Sequence, residues 1–90
     1  MKLSDEILVE KTYVEISTQR TKVMKCLEGK VLIPTEIARD SGIIRNHVSG
    51  TLKKLIEHGL VECINPEVKK GRLYRLTEKG EIVSKNITLE

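Results

Sequence analysis

The chain has 90 residues and a net charge of +3, from 16 Lys and Arg against 13 Asp and Glu. At 39% hydrophobic and 32% charged it is a globular sequence sized for one small domain, so neither a second domain nor an α/β or barrel enzyme of about 200 residues or more is expected. No apolar run approaches the ~20 residues of a membrane span, and Asp5 and Glu6 stand where a secretory signal needs an apolar core, so a cytoplasmic protein is expected.

Residues 1–12 are an N-terminal extension of uncertain structure, in which Ile7, Leu8 and Val9 can pad the core or serve a partner. Residues 13–16, Tyr-Val-Glu-Ile, are short and β-prone. Ser17 can then cap a helix that carries Val23, Met24 and Leu27 at helical spacing and stops at Gly29. Residues 31–33 are too few for a helix before Pro34 and read as a short strand. Thr35 is the expected N-cap of a short helix over 36–41, ended by Gly42. A longer helix follows over 45–58, with Ser41 or Asn46 as a possible cap. Its apolar stripe is Val48, Leu52, Leu55 and Ile56, and it stops at His58-Gly59-Leu60. There His58 suits the helix C-terminus, where a cation is favoured. Residues 60–64 and 73–76 form a β-hairpin around a long basic loop that Asn65-Pro66 opens and Gly71 helps close. Thr77 can cap a last short helix to about residue 85, a reading weakened by Gly80, and 86–90 are a tail.

Two helices joined by a tight glycine turn, followed directly by a hairpin, are in the order of a helix-turn-helix with a wing. The fold expected is therefore α+β but mostly α, a three-helix core plus a small antiparallel β-wing over residues 13–85. The runs Thr35-Glu36-Ile37-Ala38, Ser41-Gly42-Ile43, Val48-Ser49, Leu52-Lys53-Lys54-Leu55, Gly59-Leu60-Val61 and Gly71-Arg72-Leu73-Tyr74-Arg75-Leu76-Thr77-Glu78-Lys79-Gly80 resemble the MarR/ArsR-like winged helix-turn-helix transcriptional regulators, the small single-domain archaeal and bacterial type in particular. The resemblance implies a duplex-DNA partner. Two positions depart from that pattern: Ile44 stands where such regulators often have a polar cap, and Gly50 where they often have a large polar residue.

The charge distribution agrees with a DNA partner. Residues 44–75 hold seven basic side chains against three acidic, a net of +4, while 1–43 is neutral and 76–90 carries −1. The excess falls on the third helix and the wing, and phosphate neutralisation supplies most nonspecific DNA affinity. Base edges are read by the N-terminal residues of the second helix of the motif, here Arg45, Asn46, His47, Ser49 and Gly50. Arg pairs with guanine and Asn with adenine in two-bond geometries. Lys53 and Lys54, farther along, suit phosphates. On the wing, Lys69, Lys70 and Arg72 can straddle the adjacent backbone or enter a minor groove. Arg75 is open between supporting the wing, reaching a phosphate and pairing with an acid.

A two-fold operator calls for a homodimer, whose interface would use Ile7, Leu8 and Val9 or Ile82, Val83 and Ile87. An effector would bind in a groove or at that interface. No nucleophile elbow, phosphate-binding glycine loop or HExxH motif is present. Cys26 and Cys63 lack CxxC or zinc spacing and read as small buried hydrophobes. Neither an enzyme nor a metal or other cofactor is therefore expected. Two alternatives keep the same fold: a winged-helix protein-interaction module, which needs an apolar or acidic third-helix face, and an RNA-binding accessory protein, for which Tyr13 and Tyr74 offer little base stacking.

Overall fold

Hydroxyl side chains start three helices of the molecule. In the computed structural model, which describes residues 4–87, the Ser4 hydroxyl accepts from the Ile7 amide at the head of α1 (Asp5–Glu15). Ser17 does the same for Arg20 at the head of α2 (Thr18–Leu27), and Thr77 for Gly80 at the head of α5 (Glu78–Lys85). Such caps satisfy amide groups that the first helical turn leaves without partners. Between α2 and α5 lie α3 (Pro34–Ser41), α4 (Arg45–Glu57) and the antiparallel pair β1 (Val61–Cys63) and β2 (Tyr74–Leu76). The strands pair Val61 with Leu76, Glu62 with Arg75 and Cys63 with Tyr74. The architecture is a winged helix.

The core is aliphatic. Val14, Val23, Met24, Leu27, Ile37, Val48, Leu55, Leu60 and Val83 have no exposed surface, so α1, α2, α3, α4, the hairpin and α5 all contribute to one cluster. Tyr13 and Tyr74 pack at its edge. The turn from α3 to α4 rests on Gly42, whose φ of 75° is left-handed. α4 ends in a paired closure, with the Gly59 amide donating to Ile56 and the Leu60 amide to Leu55.

Several expectations are corrected. Residues 13–15 are not β but the last turn of α1, which runs across position 12. Residues 31–33 form no strand; Leu32 alone bridges Tyr74, with amide-to-carbonyl distances of 3.0 and 2.9 Å each way, because α3 begins immediately at Pro34. The N-cap of α3 is Ile33, not Thr35: proline fits the first helical position, and the Glu36 carboxylate accepts from the Ile33 amide at 3.0 Å. α4 starts from Ile44 rather than from Asn46 or Ser41, and the Ser41 hydroxyl instead accepts from Ile43. Ile56 lies off the inner stripe and is exposed. Cys26 and Cys63 are half-buried; burial, then the nearby Asp40 carboxylate, pushes the Cys26 thiol up. Val83 and Ile87 belong to the monomer's own core, which removes them from any interface. Part of the tail, 88–90, lies outside the described residues. Among the described residues no helix is long and apolar enough to cross a membrane.

His58 closes α4 and joins it to α1. Its Nδ1 meets the buried Glu10 carboxylate at 3.0 Å. Its ring stacks on Tyr13 with centroids 3.6 Å apart, and the Arg20 guanidinium lies 3.8 Å from the Tyr13 ring centroid. Across the hairpin, Arg75 pairs with Glu62 on the facing strand at 2.9 Å, so of the options left open it does pair with an acid.

Candidate nucleic-acid interface

α4 is built as a ridge. Its inner side buries Val48, Thr51, Leu52 and Leu55. That leaves Arg45, Asn46, His47, Ser49, Gly50, Lys53 and Lys54 all exposed on the outer side. The helical repeat of 3.6 residues divides these side chains between two flanks.

On one flank, Asn46, His47, Gly50 and Lys54 face the N-terminal end of α2 across a cleft of about 330 Å³, completed by Ser17, Gln19, Arg20 and Thr51. His47 Nδ1 and Gln19 Nε2 are 3.1 Å apart, which steadies the His47 ring. Apart from its chain neighbours and the backbone of its own helix, no described atom lies within 4 Å of where a Cβ on Gly50 would stand, so a side chain there would project into open space at this cleft. On the other flank, Ser49 and Lys53 face the wing across a cleft of about 290 Å³ shared with Pro34, Arg72 and Tyr74.

The N-terminal end of α4 meets the wing tip. Arg45, Lys69, Lys70, Gly71 and Arg72 line a cleft of about 470 Å³ together with Ile33, Pro34 and Thr35 at the start of α3. Three like charges converge here around Arg45, and among the described residues none of Arg45, Lys69 and Lys70 pairs with an acid. α4 adds to this field. It has no acidic residue in its first turn and no side-chain cap among the described residues, so the positive end of its backbone dipole points outward. Such an end attracts anions.

Arg72 differs from its basic neighbours. Its Nε donates to the Val68 carbonyl at 2.7 Å and a terminal nitrogen to the Pro66 carbonyl at 3.2 Å. Asn65 ties the loop from the opposite side: it donates to the Gly71 carbonyl at 3.2 Å and accepts from the Leu73 amide at 2.7 Å. These bonds hold a ten-residue connection in one shape although its only regular pairing is at its base. The sequence-predicted residues thus fall into three groups around one helix, with Arg72 turned back to brace the loop that carries Lys69 and Lys70. Sequence reasoning missed Gln19 and Arg20. Both follow the Ser17 cap, but their approach to α4 is set by the packing of α2 on α4, which no local pattern carries.

Neither a model of a known protein family nor a curated protein matches the sequence. Among solved structures, the fold is similar to the crystal structure of NadR in complex with 4-hydroxyphenylacetate, with a TM-score of 0.68 and 24% identity over 88% of this chain. The chain spans 60% of the length of that chain. The likeness is one of fold, and it agrees with the winged helix seen here.

Proposed function

We propose that the protein is a transcriptional regulator of MarR-like type that binds double-stranded DNA, with α4 in the major groove and the basic wing on the flanking backbone. The observation that carries this reading is the convergence of Arg45, Lys69 and Lys70, all free of acidic partners among the described residues, on the uncapped end of α4. A duplex is the anionic partner whose groove width fits one helix and whose phosphates flank it. Arg45 and Asn46 offer two-bond geometries to guanine and adenine, and His47 and Ser49 extend the reading face. Lys53 and Lys54 reach phosphates on opposite flanks of α4. Gly50 gives the sugar-phosphate backbone room beside α2. Arg72 acts by holding the wing tip in shape. A homodimer presents two copies of α4 to a two-fold site, and the exposed Leu8, Val9, Ile16 and Ile82 offer apolar surface for it. The protein-interaction alternative needs an apolar or acidic α4 face, and the outer side of this helix is mainly polar and basic.

Fluorescence anisotropy with a duplex at physiological salt tests the docking. Arg45→Ala and Lys70→Ala are each expected to weaken binding several-fold without changing the melting temperature, as both side chains are exposed. Unchanged affinity in both variants contradicts this docking.

A further inference from the structure

Ile44 is one of eight large apolar side chains exposed among the described residues, and of these it alone stands at a helix N-cap. It is 67% exposed, and it occupies the N-cap of α4, where Ser, Thr, Asn or Asp is favoured. α3 also starts from an isoleucine, but Ile33 is half-buried and receives compensation from Pro34 and from the Glu36 carboxylate. For Ile44, among the described residues, α4 has neither a side-chain cap nor a first-turn acid. The residue thus forgoes a cap and leaves a branched apolar side chain in water, and folding gains from neither.

Its position supplies a use. Ile44 sits at the leading end of the helix that carries the base-reading side chains, directly before Arg45 and Asn46. Side chains of the first helical turn, Arg45 and Asn46 among them, tilt toward the helix N-terminus and so toward Ile44. Arg45 next to it lines the same cleft as Lys69 and Lys70, so the surroundings of this apolar tip favour a polyanion rather than a lipid or an apolar protein surface. The major groove of DNA presents one exposed alkyl group, the 5-methyl of thymine.

We infer that Ile44 is a specificity-determining residue that packs on a thymine methyl group beside the bases read by Arg45 and Asn46. The inference rests on the major-groove docking proposed above. It makes the preferred site contain a thymine that a hydrogen-bonding code alone does not specify.

The test begins with selection of a preferred duplex from a randomised pool by the wild-type protein. Each thymine of the selected duplex is then replaced in turn by deoxyuridine, which lacks only the methyl group. Wild type is expected to lose about three- to fivefold in affinity at one position per half-site, the worth of one buried methyl. Ile44→Ala, which is expected to fold normally because the side chain is exposed, should bind the thymine and uracil duplexes equally at that position. If no replacement affects wild type more than Ile44→Ala while Arg45→Ala still weakens binding, the methyl contact is overturned and the docking stands. If wild type selects no duplex at all, the docking itself falls and the inference with it.

Discussion

α4 and α5 each carry a glycine inside the helix, where glycine costs roughly 1 kcal/mol relative to alanine, and they carry it for opposite reasons. In α5 the reason lies inside the fold. A Cβ on Gly80 would meet the Leu60 carbonyl, with the carbonyl carbon 2.9 Å away, so only glycine lets α5 seat against the hairpin base. The start of α5 is equally well tended: the Thr77 hydroxyl accepts from the Gly80 amide at 3.0 Å and donates to the Gly59 carbonyl at 2.6 Å, and Glu78 and Glu81 complement the helix dipole. In α4 nothing among the described residues beyond its chain neighbours and the helix's own backbone crowds Gly50, and among them no side chain caps the helix, which starts from an exposed isoleucine with Arg45 in its first turn. The difference separates a helix finished for stability from one whose outer side is left for a partner.

Substitutions can break this separation. The largest effect is expected on the inner side of α4. Leu55→Ala removes a fully buried side chain and should cost about 2–5 kcal/mol in denaturant unfolding, while the fraction that remains folded keeps its duplex affinity. Gly80→Ala should follow, at about 1–3 kcal/mol, because backbone rather than a side chain must shift. Gly50→Ala should act with the opposite sign on stability, raising it by up to about 1 kcal/mol, yet weaken duplex binding by narrowing the cleft beside α2. If Gly50→Ala leaves affinity unchanged, the DNA backbone does not approach there.

The smallest effect concerns pH. Hydrogen bonds from the Ser84 hydroxyl and then the Lys25 ammonium hold the Glu28 carboxylate below the usual glutamate range. A lowered carboxylate stabilises the fold above its unfolded value of about 4.3 and loses that contribution as the pH falls through the folded value. Glu28→Gln should therefore melt below wild type at pH 6, and the gap should close towards pH 3. Duplex affinity, measured at pH 7, should not follow, since Glu28 ties α2 to α5 and lies outside the three clefts around α4.

Much of this architecture was legible because local signals agreed with packing. The Ser17 and Thr77 caps, the stops at Gly42 and Gly59, and the Val48, Leu52, Leu55 stripe each marked an element that exists. α1 was not legible, because its inward face includes Glu10. A charged residue at a core-facing position hides the helical period, and its partner His58 lies 48 residues away. Tyr13 and Val14 then looked β-prone, although the Ser4 cap and packing on α2 and α5 make them helical. The residues of the candidate interface were readable from charge and order. What the sequence could not show was their division into three clefts, the approach of Gln19 to His47, and the turning back of Arg72 onto the Val68 and Pro66 carbonyls. Each depends on contacts between elements or on the path of a loop.

The most direct measurement is the salt dependence of duplex binding, wild type against a Lys69→Ala, Lys70→Ala double variant, followed by anisotropy. Each phosphate contact contributes about −0.9 to the slope of log affinity against log salt. Wild type should fall steeply, with a slope of several units, and the double variant should lose roughly two of them. Equal slopes in the two proteins would contradict the placement of the wing on DNA, and no binding even at low salt would contradict the DNA role of α4 as well.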